Sequence, residues 1–279
     1  MAEVIVADEA GACYGVERAL NLVMEAAEQT EGPLFTLGPL IHNPTVVADL
    51  EARGVSVTND PVVPQGATLV LRTHGVTPAV EQAAAAAGAQ VIDATCPFVK
   101  RVHRAAQRLE REGYQVLVVG ESGHPEVEGT VGQVASATVV ESAEQVAGLA
   151  LKRKVGIVVQ TTLAKSVLAE VVAELVGRVD ELRVFDTICE ATAGHQGACA
   201  RLARTVDAMV VIGGKNSANT THLADISRQE CPRTHHIETP QELDSSWFEG
   251  AQRIGITAGA STPAAQIESV RQAILQMVG

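Results

Sequence analysis

Shifted by 93 residues, the middle of the chain lies over its last third without a gap. Asp93 falls on Asp186, Cys96 on Cys189, Leu109 on Leu202, Val118 on Val211, Gly120 on Gly213, His124 on Ser217 and Glu126 on Asn219. Self-similarity at a fixed spacing means that one supersecondary unit is used repeatedly. Within the units, strand-length apolar runs alternate with helical periodicity, the pattern of parallel α/β architecture. The runs predict strands near 3–7, 34–37, 55–58, 68–72, 90–93, 115–119, 137–140, 155–159, 182–185, 208–212, 234–238 and 253–257. Helices are expected over 14–29, where Val16, Leu20, Val23 and Ala27 share a face, and over 98–112, 163–177 and 262–277. Pro44, Pro78 and Pro125 stand where helices should open, a position at which a missing N–H costs little.

The expected fold class is α/β, with three pseudo-three-fold related modules around one centre. Each module is a small, mostly parallel four-stranded sheet with flanking helices. Their expected limits are 14–96, 97–189 and 190–279. The third module ends after its last helix without a closing strand. The run VIVAD in residues 1–13, just before Cys13, is the natural strand to complete it.

Each module places a cysteine after an acidic strand end: Cys13, Cys96 and Cys189. A polar loop follows, 29 residues on at His42 and 28 residues on at both His124 and Ser217. A second strand-to-loop junction carries His74, Thr161 and Ser261 in the respective modules. Ligand sites in parallel sheets form beyond the carboxyl ends of strands, where all these residues fall. Three thiols focused on one centre ask for metal. Zinc with an open fourth position and a [4Fe–4S] cluster on three thiolates both satisfy that donor set. No Cys-x-x-Cys pair is present, which argues against a zinc ribbon or a ferredoxin-type carrier. Cys199, mid-helix, and Cys231, before Pro232, suit ordinary core burial.

The loops suit an anion. His42, His74, His124, Ser217, Asn219 and Ser261 lie in turns rich in small residues, whose N–H groups bind phosphate without Lys or Arg. Neither a Walker motif nor G-x-G-x-x-G is present. Glu126, two residues after His124, reads equally as a proton donor facing an anion or as an acidic residue favouring the first turn of a helix. Thr161 and Thr162 could hold a substrate alcohol or cap the next helix.

Composition narrows the field. A net charge of −12 speaks against general nucleic-acid or membrane-surface binding, and seven aromatic residues leave little for base stacking. No signal peptide and no apolar run of spanning length is visible, so a cytoplasmic protein without a membrane partner is expected. Five widely spaced cysteines do not suggest a disulfide framework.

The strings GACYGV, GPLIHN, RTHGV, DATCP, GHPEVEGTVGQ, QTTL, KNSAN and TAGAS resemble, in order and spacing, the 4-hydroxy-3-methylbut-2-enyl diphosphate reductases, the IspH/LytB family. The resemblance runs from Cys13 to Ser261. It implies a trefoil of α/β modules around a [4Fe–4S] cluster on Cys13, Cys96 and Cys189, with one iron open. It implies that His42, His74, His124, Ser217, Asn219 and Ser261 hold the substrate diphosphate. Thr161 would lie near the substrate hydroxyl, and Glu126 would protonate that hydroxyl as it leaves. The implied reaction is a two-electron reductive dehydration to isopentenyl and dimethylallyl diphosphate, with electrons from ferredoxin or flavodoxin. Three departures stand against the family pattern: Ala10-Gly11-Ala12 and Tyr14 around the first cysteine, His195 in place of an arginine, and Ala218 in place of a hydroxyl residue. A zinc-dependent hydrolase or a non-catalytic redox sensor built on the same cysteines are the other readings of the thiol set.

Overall fold

The computed structural model describes residues 2–279. In chain order its elements are β1 (Glu3–Val6), α1 (Tyr14–Gln29), β2 (Leu34–Leu37), α2 (Pro44–Ala52), β3 (Val55–Thr58), β4 (Thr68–Leu71), α3 (Pro78–Ala86), β5 (Gln90–Asp93), α4 (Pro97–Arg111) and β6 (Gln115–Val119). There follow α5 (Pro125–Val131), β7 (Ala137–Val140), α6 (Ala143–Ala147), β8 (Lys154–Val159), α7 (Lys165–Leu175), β9 (Glu181–Val184) and α8 (Glu190–Ala203). The chain ends with β10 (Ala208–Ile212), α9 (Ala218–Glu230), β11 (Thr234–Ile237), β12 (Arg253–Ala258) and α10 (Ala264–Val278).

The strands form three four-stranded sheets, ordered β3-β2-β4-β5, β7-β6-β8-β9 and β11-β10-β12-β1. Every pairing is parallel. All three sheets therefore follow one path, and the N-terminal β1 takes the last place in the third, with Val6 beside Ile256. The twelve expected strands all form, none displaced by more than one residue at an end.

Both faces of these sheets are covered, so their central strands read as unbroken apolar runs rather than alternating ones. In β10, Ala208, Val210 and Ile212 pack with Ile267, Val270 and Ile274 of α10. Its intervening Met209 and Val211 meet Ala198, Cys199 and Leu202 of α8 and Leu223 and Ala224 of α9. In β6 and β8, Leu117, Val119, Ile157 and Val159 face Leu168, Val171 and Leu175 of α7. Val116, Val118 and Val158 face Val102, Ala106 and Leu109 of α4. These packed faces hold the strand ends, and hence the loops beyond them, in fixed register.

α4 is shifted by one residue, to Pro97–Arg111 from 98–112, and two other expected helices differ by two residues at one or both ends. α7 spans Lys165–Leu175 rather than 163–177, because the polar loop continues to Ala164 and Gly177 turns the chain at φ +84°. α10 starts at Ala264 rather than 262, because the Thr262 hydroxyl donates to the Ile212 carbonyl at 3.1 Å and keeps that residue in the loop.

The chain divides into two compact units. The smaller comprises the N-terminal stretch to Glu17, Ile41–Asp49 and Glu190–Gly279. The larger comprises Arg18–Leu40 and Leu50–Cys189. Among the described residues no helix is long and apolar enough to cross a membrane.

Candidate functional site

Sheet register fixes which loop residues correspond. Leu37 pairs with Leu71, Val119 with Val159 and Ile212 with Ala258. Five residues beyond the first member of each pair stand His42, His124 and Ser217. Three beyond the second stand His74, Thr162 and Ser261. Thr161, expected to match His74 and Ser261, lies one place earlier, with Thr73 and Ala260. A sequence pattern of small polar residues could not resolve that single-residue offset; strand pairing does.

The three cysteines share one backbone setting. The Cys13 N–H donates to Ala260 O at 3.1 Å, Cys96 N–H to Thr73 O at 3.0 Å and Cys189 N–H to Thr161 O at 3.1 Å. These acceptors are the three register-equivalent loop residues. Each cysteine is half-buried and stands directly before a helix, α1, α4 or α8. Helix N-termini favour negative charge, which suits an anionic ligand set. Cys199 and Cys231 are different. Both are buried, burial pushes both thiols up in pKa, and Cys199 packs against α9 with its sulfur 3.0 Å from the Ser227 hydroxyl. None of the five forms a disulfide, and among the described residues no three His, Cys, Asp or Glu side chains cluster closely enough to share one metal ion.

In the larger unit the central group is Glu126, only 3% exposed in the first turn of α5. Burial pushes its carboxyl up to about 7, reinforced by the Glu121 charge and opposed by two hydrogen bonds from Thr161. The Thr161 N–H donates to Oε1 at 2.6 Å and the Thr161 hydroxyl to Oε2 at 2.7 Å. Of the two sequence readings of Glu126, its place in a helical first turn is seen directly. His124 caps the same helix, its Nδ1 accepting from the Glu126 N–H at 3.1 Å. In the neutral ring the proton therefore sits on Nε2. The His74 ring meets that of His124 edge-on, with centroids 5.6 Å apart.

The loop carrying His74 is seated from two sides. Gly75 has φ +75°, and a Cβ there would stand 2.8 Å from Cε1 of His103. Gly129 of α5 approaches from the other side, its Cβ position 3.4 Å from the Gly75 carbonyl. His103 is buried in α4 with its Nε2 unpartnered, and burial pulls its pKa down to about 4, so it is a neutral wedge. Sequence reading missed His103, since a buried helical histidine carries no local signal of what it packs against.

In the smaller unit the loops of His42 and Ser261 are tied together. The Ser261 hydroxyl donates to His42 O at 3.2 Å, and Asn43 Nδ2 donates to Ser261 O at 2.9 Å. Asn43 Oδ1 meanwhile accepts from the N–H groups of Thr45 and Val46 and caps α2. Asn43 was not among the expected site residues, although an asparagine before a proline at a helix start is a recognisable cap. Ser217 caps α9 through the Thr220 N–H. Asn219 is 3% exposed, yet neither its Oδ1 nor its Nδ2 has a partner. Leaving both ends of a buried amide unsatisfied is costly, and such a group points to a ligand that completes it. His195 is buried in α8; burial lowers its pKa while the charge of Glu9 opposes the shift.

Three parallel four-stranded sheets of one strand order, each with a cysteine and a polar loop beyond its carboxyl edge, define an α/β protein. The chain belongs to the LytB protein family, whose model matches residues 4–275. It is 49% identical to the 4-hydroxy-3-methylbut-2-enyl diphosphate reductase of Geobacter sulfurreducens over 98% of this chain and 96% of that one. Identity to the protein of the same name from Aquifex aeolicus is 46%, covering 99% and 97% of the two chains. A solved structure of (E)-4-hydroxy-3-methyl-but-2-enyl diphosphate reductase, described as the terminal enzyme of the non-mevalonate pathway, matches at 46% identity and a TM-score of 0.75, covering 99% of this chain and 100% of that one. The Plasmodium falciparum E-1-hydroxy-2-methyl-but-2-enyl-4-diphosphate reductase matches at 28% identity and a TM-score of 0.92, covering 97% of this chain and 87% of that one.

Proposed function

We propose that this chain is a 4-hydroxy-3-methylbut-2-enyl diphosphate reductase. It takes two electrons and two protons, breaks the allylic C–O bond and releases water with isopentenyl or dimethylallyl diphosphate. The observation that carries this reading is Glu126. A hydroxide is a poor leaving group unless protonated, and a buried carboxyl with its pKa raised to about 7 is poised to deliver that proton near neutral pH.

Thr161 extends the donor. When Glu126 is ionised, the Thr161 hydroxyl donates to it. Protonated Glu126 reverses the bond and donates to Thr161 Oγ1, and the threonine hydroxyl is then able to donate to the departing oxygen. The diphosphate is assigned to His42, His74, His124, Ser217, Asn219 and Ser261. Support comes from the unsatisfied amide of Asn219 and the burial of Ser217 and Ser261. Such donors bind phosphate without a lysine or arginine.

Cys13, Cys96 and Cys189 fit a [4Fe–4S] cluster, because three half-buried thiols in one backbone setting are offered and the other two cysteines are committed to packing. When bound, such a cluster supplies electrons and, having only three thiolates, one iron with an open position of Lewis-acid character. Electrons come from an external carrier such as ferredoxin or flavodoxin, in the cytoplasm, where thiols stay reduced.

The test is iron and sulfide content of anaerobically purified protein, with turnover of the hydroxymethylbutenyl diphosphate by a reduced dye. Wild type should be brown and active, and Cys96→Ser should lose cluster and activity. A colourless, zinc-loaded protein without turnover refutes the reading.

A further inference from the structure

Helix α4 is a basic element in an acidic chain. Its 15 residues carry Lys100, Arg101, Arg104, Arg108 and Arg111 against the single acid Glu110. That is a net charge of 5 − 1 = +4 within a chain of −12, so the remainder carries −12 − 4 = −16. The placement also runs against the helix itself. Basic residues are favoured in the last turn, where Arg108 and Arg111 lie, and disfavoured near the N-terminus. Lys100 and Arg101 nevertheless follow within the first turns, and that end contains no acid. Lys100 is bound by Asp93 and Arg108 by Glu112, but Arg101 and Arg104 are exposed and enter no ion pair among the described residues.

These arginines border a cleft of about 230 Å3. Arg101, Arg104 and Arg108 line it together with Ala105, Phe185 and Thr187, and Arg108 lies over the Phe185 ring at 5.8 Å. An aromatic floor with an arginine rim is the anatomy of a protein interface. Both walls lead to cysteines. Cys96 is the N-cap of α4, five residues before Arg101 and so roughly 8 Å along the helix axis. Thr187 lies two residues before Cys189.

We propose that this arginine-rimmed cleft is the docking surface for a small acidic electron-carrier protein. The proposal rests on the reductase reading, which requires electrons delivered from outside. Arg101 and Arg104 attract the carrier's carboxylates, and Phe185 with Ala105 receives an apolar side chain at the centre. A nucleic acid fits less well, since a phosphate polymer reaching past one helix would meet the acidic remainder of the surface.

The test uses the cluster-loaded protein, with an acidic plant-type [2Fe–2S] ferredoxin as protein donor and a reduced viologen dye as small donor. The double variant R101E/R104E should keep dye-supported turnover. Its ferredoxin-supported kcat/KM should fall by about tenfold or more, together with calorimetric affinity for the oxidised ferredoxin. Added salt should slow the ferredoxin reaction of wild type and not that of the variant, and R101K/R104K should retain most of the wild-type rate. Unchanged ferredoxin affinity in R101E/R104E, an equal loss with dye, or loss of single-stranded nucleic-acid binding alone overturns the proposal. A wild type that binds ferredoxin but turns over with neither donor refutes the reductase reading instead.

Discussion

Replacing Glu126 by Gln should make the protein more stable as it becomes inactive, and the gain should depend on pH. Glu126 is 3% exposed, so bulk solvent does little to soften the cost of charging it. Its folded-state pKa of about 7 against an ordinary value of 4.5 is a difference of about 2.5 units, or about 3 kcal/mol at ~1.4 kcal/mol each. Because the folded value lies above the unfolded one, the folded protein keeps a proton that the unfolded chain has released. The associated stability is fully present below about pH 4.5 and is lost as pH rises through about 7. Glutamine has the same shape and never ionises. Its Oε1 can accept from the Thr161 N–H, and its Nε2 can donate to Thr161 Oγ1, so both contacts survive with the hydroxyl reversed. Denaturant unfolding of both cluster-free polypeptides should give a stability difference near zero at about pH 4.5, rising to about 3 kcal/mol in favour of Gln at about pH 8. Other titrating groups cancel in that difference. Turnover by the cluster-loaded variant should fall by about 100-fold or more. A stability difference that is flat with pH, or that favours Glu at high pH, refutes the buried-acid assignment.

The other predictions concern the groups around this acid. Thr161→Val removes the hydroxyl bond that lowers the Glu126 pKa, so the limb of the pH–rate profile governed by that acid should move to higher pH and kcat should fall; an unmoved profile refutes the relay. Asn219→Ala deletes a buried amide without partners, so stability measured by denaturant should hardly change, while calorimetric affinity for inorganic pyrophosphate should drop about tenfold or more. A large stability loss with unchanged affinity would make Asn219 a packing residue. Gly75→Ala forces a side chain onto φ +75° and against His103, which should cost about 2–4 kcal/mol of stability. Adding His103→Ala should recover part of that cost in a double-mutant cycle, and strict additivity of the two changes would refute the contact.

Strands, helices and the repeated cysteines were legible in the sequence because each has a local cause. Apolar runs such as VLVV and MVVI are continuous because the sheets are covered on both faces, and proline marks helix starts because its missing N–H is harmless there. Even the fourth strand of the last sheet could be inferred from the N-terminal run, since its module lacks one. The site was legible as a set of residue types at strand ends, and no further. That Thr161 rather than Thr162 reaches Glu126 depends on strand register, and the role of Asn43 depends on a contact with Ser261, 218 residues away.

The sequence by itself determined the repeating strand–helix order, three thiols set before helices and polar loops at the strand ends. Tertiary structure alone decided what those groups are worth chemically. It buried Glu126 and so raised its pKa, left Asn219 without partners and wedged His103 beneath the His74 loop. The physical reason is that pKa and unsatisfied hydrogen bonding depend on everything packed around a group, whereas periodicity and capping depend only on its neighbours along the chain.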